Sequence, residues 1–152
     1  MIQIEWKIKT FKELDTEELY ELLRLRVDVF VVEQNCPYPE IDGKDSHPET
    51  LHLIGKNKDG KIVAYSRILP PGLSYKQVSM GRVVVEKNSR GQGIFDVMLK
   101  KALEQINLIW PNESVQIGAQ VYLKDIYQSH GFEPASQSYI EDGIPHIDMI
   151  RK

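Results

Sequence analysis

This chain has little with which to staple itself, cross a bilayer or wrap a polyanion. Its 152 residues include one cysteine, Cys36, so an intrachain disulfide is excluded and a reducing compartment is expected. Apolar stretches such as Val83-Val84-Val85 fall far short of the roughly 20 residues that a membrane-spanning helix needs. The amino terminus, MIQIEWKIKT, alternates polar and apolar residues and lacks the basic start and unbroken apolar core of a signal peptide. A cytoplasmic protein without a membrane partner is the expectation. Acidic residues outnumber basic ones, 22 to 19, and the basic ones are scattered. Nucleic acid requires a basic stripe that replaces displaced counterions, so no nucleic-acid partner is expected. One small anion remains within reach, because a few backbone amides can hold it without net positive charge.

Repeats, low-complexity tracts and linkers are missing too, so residues 1–152 read as a single domain. A chain of this length buries about 68–70% of its unfolded surface and needs no covalent support. Ile2, Ile4, Trp6 and Ile8 alternate with polar residues as a strand does. Asp15 and Glu18 are spaced as a capping box ahead of a helical stripe of Leu19, Leu22, Leu23, Val27 and Phe30, on which Arg26 is the polar exception. Residues 34–48 are irregular, broken by Pro37, Pro39, Asp42-Gly43 and Pro48. Residues 51–55 and 62–69 read as a hairpin turning at Asp59-Gly60.

Residues 77–85 form a further strand, whose valine triplet suits burial on both faces. Residues 92–107 read as a helix, with Ile94, Val97, Met98, Ala102 and Ile106 near one face. A strand over 115–121, a short helix over 123–130 capped by Gly131, and a last hairpin of 132–139 with 146–151 complete the chain. The order β-α-β-β-β-α-β-α-β-β implies an α/β (α+β) fold: a mixed central sheet of about six or seven strands flanked by helices.

The richest segment runs from Val83 through Glu86, Arg90, Gly91, Gln92 and Gly93 into Ile94 and Phe95, a strand, a glycine turn and a helix start. Amides at a helix N-terminus lack intrahelical partners and point outward, where the dipole favours an anion. Gly91 and Gly93 let the backbone approach a bulky ligand, and Arg90 adds a cation, so a diphosphate suits the turn. A Walker loop would need Gly-Lys-Ser/Thr, which is absent, and a dinucleotide turn would want glycine where Asp96 stands. On these residues alone, an anion site and a purely structural turn both stand.

Further on, Tyr127 precedes Gly131-Phe132, and Gln120 lies seven residues before Tyr127. Arg90-Gly91-Gln92-Gly93-Ile94 resembles the Gln/Arg-x-x-Gly-x-Gly/Ala signature of the GNAT acetyltransferase superfamily, and Tyr127 with Gly131-Phe132 resembles its Tyr-x-x-x-Gly-Phe motif. Gln120 stands where many members carry a cofactor-contacting Asn. Phe30 to Tyr38, Ile41-Asp42-Gly43, Asp45 and Asp142 to His146 are similar to the ElaA subgroup. The element order agrees, so the resemblance covers nearly the whole chain.

The resemblance implies the GNAT acyl-CoA N-acyltransferase fold and an N-acetyltransferase that takes acetyl-CoA as acetyl donor. The acceptor it implies is a primary amine of a small molecule or peptide, and homodimers are common in the superfamily. It places the pantetheine arm between splayed strands near Ser79–Val85 and Val115–Gln120, held through the main chain of Val83, Val84 and Val85. It assigns the diphosphate to Arg90, Gly91, Gln92, Gly93, Ile94 and Phe95, with Gln120 and Tyr127 also on the cofactor. Tyr127 resembles the general acid of the family. For the base that an amine of pKa about 10 needs, Glu33, Asp42, Asp45, Glu141 and His146 are candidates, Glu33 and His146 foremost. Phe95 departs from the signature, which has Gly or Ala there; its ring crowds a diphosphate unless it turns into the core. That departure sustains an alternative, an acyl-CoA-binding or sensor module without turnover, and a nucleotide-binding interaction domain is a third reading. His47 and His52 with Asp42 and Asp45 match no metal-ligand spacing, so no metal is expected.

Overall fold

The computed structural model describes residues 3–152; Ile2, first of the alternating set, lies outside the described residues. Strand β1 (Glu5–Thr10) leads to helix α1 (Thr16–Arg26), which opens on the capping box read from the sequence. The Glu18 amide donates to Asp15 Oδ1 at 2.7 Å and the Asp15 amide to Glu18 Oε1 at 3.1 Å, satisfying two otherwise unpaired donors. The helix continues as a wider π-helical segment, Val27–Glu33, whose i→i+5 bonds include Gln34 N to Val29 O.

Strands β2 (Leu51–Lys56), β3 (Ile62–Leu69) and β4 (Val78–Val85) follow, then helix α2 (Ile94–Ile109), β5 (Val115–Gln120), the short helix α3 (Lys124–Ser129), and β6 (Glu133–Pro134), β7 (Tyr139–Glu141) and β8 (Ile144–Arg151). They make one eight-stranded sheet in the order β1-β2-β3-β4-β5-β8-β6, with β7 also paired to β8. Among the described residues only β4 and β5 run parallel; the other pairs are antiparallel. The expected last hairpin is corrected in detail. Ala135 to Ser138 are exposed and unpaired as strand, so the segment before the Asp142-Gly143 turn splits into β6 and β7.

Two apolar layers cover the sheet. Leu22, Leu25 and Val29 pack on Ile54, Ile62, Tyr65 and Val84 on one face. Met98, Leu99, Ala102, Leu103 and Ile106 of α2 pack on Leu53, Ala64, Ile68, Val85 and Ile117 on the other. All eight residues of β3 are buried, as a strand covered on both faces must be. Each large aliphatic side chain so buried contributes about 1.5–3 kcal/mol. Val97 is corrected: it is 45% exposed, because the buried stripe of Ile94, Met98, Ala102 and Ile106 widens on the side of Leu99 and Leu103 and leaves Val97 on the outer flank.

Candidate active site

The central ladders of the sheet are long except at the parallel pair. β4 and β5 are joined only at Val78–Val115 and Ser79–Gln116. Beyond that, β5 stays with β8 while β4 stays with β3, so the edge of β4 from Gly81 to Val85 has no strand partner on its β5 side. A bulge helps part them. Tyr65 faces Val84 and Arg67 faces Gly81, which sets Arg82 and Val83 against Ser66 alone, and Arg82 takes a positive φ of 48°. The strands that the resemblance expected to splay do so, and the gap is a cavity of about 840 Å³.

At one end of the cavity lies the glycine turn. Gly91 and Gly93 have φ of 79° and 78°, and a Cβ on either would meet no heavy atom within 4 Å. Both backbones are therefore open to a ligand, and Gly93 caps α2 in the left-handed conformation that glycine adopts without strain. Arg90 is fixed but not free. Its Nε donates to the Val85 carbonyl at 2.9 Å, and Nη1 and Nη2 donate to the two Glu33 oxygens at 2.7 and 2.9 Å. Glu33 thus already matches the Arg90 charge, leaving backbone amides as the principal attraction for an anion here. The Arg90 pair in turn holds the Glu33 carboxyl below its usual range.

Tyr127 is 5% exposed at the cavity wall, and burial pushes its phenol above the usual range, so it keeps its proton. Phe95 and Phe132 meet its ring edge-on at 5.8 and 5.7 Å. Phe95 is half-buried and packs against the core while also lining the cavity. Gln120 closes β5, and its side-chain amide bonds that of Gln34 at 3.3 Å. Across the β5–β8 ladder from Gln120 sits His146, stacked on Tyr139 at 6.0 Å. His146 Nδ1 is 2.8 Å from the Ile144 carbonyl, which can only accept, so Nδ1 carries a proton and Nε2 is the nitrogen left to exchange one.

Val83, Val84, Val85, Arg90, Gly91, Gly93, Ile94, Phe95, Gln120, Tyr127 and His146 all line the cavity. Gln92 is exposed outside that lining, and Glu33 stands at the rim through Arg90. The remaining base candidates are engaged or peripheral. Asp42 takes two bonds of 2.8 Å from Arg67, and Asp45 takes one of 2.6 Å from Arg26. Burial alone would raise both carboxyls, but the arginines outweigh it and hold them below the ordinary range. Glu141 is exposed, 3.9 Å from His146 Nε2.

These arginines are what sequence reasoning passed over. Arg26, with no exposed surface, donates to Glu40 and Asp45, each at 2.6 Å, and Arg82 donates to the same Glu40 oxygen at 2.9 Å. Tyr38 also bonds Glu40. Three arginines against Glu40, Asp42 and Asp45 thereby pin the irregular loop over the cavity. The signal was present in part: Arg26 interrupts an apolar stripe, and Arg67 interrupts the apolar run of β3.

A parted parallel pair, a glycine turn opening a helix beside it and a buried tyrosine on the cavity wall define an acyl-CoA N-acyltransferase architecture. The chain belongs to the GNAT acetyltransferase family: the family model described as an acetyltransferase (GNAT) domain matches residues 26–152. Among curated proteins it is similar to Protein ElaA of Escherichia coli (strain K12), 45% identical over 149 residues, covering 98% of this chain and 97% of that one. Among solved structures, an acyl-CoA N-acyltransferase from Pseudomonas aeruginosa superposes with a TM-score of 0.93 at 41% identity, covering 99% of this chain and 100% of that one. Escherichia coli ElaA itself superposes with a TM-score of 0.93 at 44% identity, over 99% and 100% of the two chains. The fold is that of acyl-CoA-dependent acyltransferases, and no helix among the described residues is long and apolar enough to cross a membrane.

Proposed function

We propose that this protein is an N-acetyltransferase that moves an acetyl group from acetyl-CoA to a primary amine by direct attack on the thioester. The observation that carries the reading is the parting of β4 from β5 beyond Ser79 and Gln116, which exposes main-chain donors and acceptors along Gly81–Val85 inside a cavity. Unpaired backbone groups of a strand edge need partners, and the amides of a pantetheine arm are suited to supply them. The Gly91–Gly93 turn accommodates the diphosphate through its amides.

A bound acetyl-CoA supplies an activated acyl carbon. His146 Nε2 takes one proton from the acceptor ammonium, freeing the lone pair that forms the new C–N bond. The main chain at Val83–Val84 faces the oxygen on which charge develops; one such donor is typically worth about 2.7–4 kcal/mol. As the C–S bond breaks, Tyr127 gives its proton to the sulfur, and the nitrogen sheds its second proton, which restores the phenol by way of water. The balance is one amide, one thiol and one proton released. Glu33 serves to hold Arg90 rather than to accept that proton, because its carboxylate is paired and weakly basic.

The test is thiol release from acetyl-CoA with a panel of amines, alongside calorimetric acyl-CoA binding. Tyr127→Phe should lower kcat by about 10²-fold or more while binding persists. His146→Gln should lower the rate at neutral pH by a similar factor, and the deficit should shrink toward pH 10 as free amine accumulates. Failure to bind acyl-CoA would remove the assignment; binding with unchanged turnover in Tyr127→Phe would remove the acid.

A further inference from the structure

On the sheet face that carries His146, a second polar cluster lies deeper along β8. Asp148 pairs with Gly118 just as His146 pairs with Gln120, so the two side chains share a face about 7 Å apart, two residues of strand rise. Gly118 lines the cavity, and having no side chain it lets two tyrosine hydroxyls approach its backbone closely. The point a Cβ would occupy there is 3.2 Å from Tyr75 Oη, 3.3 Å from Tyr139 Oη and 3.8 Å from Asp148 Oδ1. Three oxygens therefore gather over Gly118 at the edge of the cavity, which Gly118 and Tyr75 line directly.

Their charge is unbalanced. Tyr139 donates to Asp148 Oδ1 at 2.6 Å, and among the described residues no lysine, arginine or histidine makes an ion pair with Asp148. The nearby arginines are different: Arg67, Arg82 and Arg90 each already hold a carboxylate. Asp148 is held in place by its backbone, whose amide donates to Ser136 Oγ at 3.0 Å and whose carbonyl accepts from Ala135 at 2.8 Å. Burial first, and then the negative charges of Asp148 and Glu141, raise the Tyr75 phenol, which keeps it neutral.

We propose that Asp148, with the hydroxyls of Tyr75 and Tyr139, is an acceptor subsite for a second ammonium group, so the substrate class is a primary amine bearing another cationic centre a few atoms away. This rests on the N-acetyltransferase reading above and deepens it. The nitrogen served by His146 reacts, and the distant ammonium is held by the carboxylate with both phenol oxygens accepting from it. Separation along the strand, about 7 Å, matches the reach of a short diamine.

Three probes of equal chain length separate the charge classes: 1,4-diaminobutane, 1-aminobutane and 4-aminobutanoate, each assayed by thiol release from acetyl-CoA. The diamine should exceed the monoamine in kcat/KM by about ten- to a hundredfold, the scale of one hydrogen-bonded charge. Asp148→Asn should bring that ratio close to one, and Gly118→Ala, which crowds both phenol oxygens, should lower it as well; thermal melts report whether each variant folds. Tyr139→Phe, which removes a hydroxyl and keeps the charge, should lower the ratio partway. A wild-type ratio near one, a preference for 4-aminobutanoate (the result if Lys44, whose Nζ bonds Ser74 Oγ at 2.6 Å, governs the pocket), or a folded Asp148→Asn that keeps the preference overturns the subsite. Amines acetylated without preference would leave the transferase reading standing, whereas loss of acyl-CoA binding in calorimetry would bring down both.

Discussion

Glu33 and Arg90 show how much one side-chain pair can redirect a chemical assignment. From the sequence, Arg90 offers a cation to a diphosphate and Glu33 a base to an amine; in the folded chain each satisfies the other across 57 residues. A paired carboxylate with a lowered pKa is a poor proton acceptor near neutrality, while His146, with Nδ1 committed to a carbonyl, has Nε2 left to exchange a proton. Glu33→Gln should therefore preserve the inflection of the pH–rate profile. Because Arg90 loses the carboxylate that neutralises it beside the glycine turn, KM for acetyl-CoA should fall by up to about fivefold, the range of an exposed ion pair. Steady-state kinetics across pH decide this, and loss of the inflection would make Glu33 the base. Phe95 teaches a related lesson: the residue type departs from the signature, but its half-buried packing on Tyr127 is a property of rotamer and neighbours, which no motif records.

Among elements, α1 is the one whose beginning was plainest in the sequence and whose end was not. Its capping box is a local device, written in residues three apart. Glu18 does more than cap, since its carboxylate also takes Lys9 at 2.8 and 2.9 Å and Lys56 at 3.1 Å, tying α1 to β1 and β2. Burial would raise this carboxyl, but the Lys9 bond, the Asp15 amide and Lys56 together lower it from 4.5 to about 2. The folded form thus binds this proton more weakly than the unfolded chain. Its contribution to stability is complete above pH 4.5 and disappears as pH falls through about 2. Glu18→Gln should cost about 1–3 kcal/mol at pH 7. Denaturant titrations should show that deficit fading between pH 4.5 and 2; a constant deficit would mean that capping geometry rather than charge is responsible. The far end of α1 passes into a π-helical segment, and nothing in the residue pattern of Val27–Glu33 distinguishes i→i+5 from i→i+4 bonding. That wider turn leads directly into Glu33 and Gln34, which meet Arg90 and Gln120.

For the molecule as a whole, the cavity exists because a strand pair is left unfinished at the middle of an otherwise continuous sheet. Filling it should stabilise the fold. A ligand that binds only the native state at a hundred times its Kd adds about 2.7 kcal/mol, which for a chain of this size raises Tm by roughly 5–10 °C. Acetyl-CoA should give that rise in a thermal-shift titration, and CoA a comparable one; ATP or NAD giving it instead would point to another ligand. The arginine–carboxylate lattice belongs to this scale as well. Residues 34–50 have no helix or strand among them, and Arg26, Arg67 and Arg82, from three separate elements, hold the loop in place.

What the sequence determined alone is whatever depends on neighbours along the chain. The capping box, the Asp59-Gly60 hairpin, the glycine turn before α2 and the paired motifs that mark the family all involve residues within a few positions of one another. What only the tertiary structure decided involves partners far apart: Arg90 with Glu33, Gln120 with Gln34, Arg26 with Glu40 and Asp45, and Tyr75, Tyr139 and Asp148 meeting above Gly118. The physical reason is that backbone conformation and hydrophobic periodicity are local, whereas a charge finds its counterion only after the sheet has brought distant segments together.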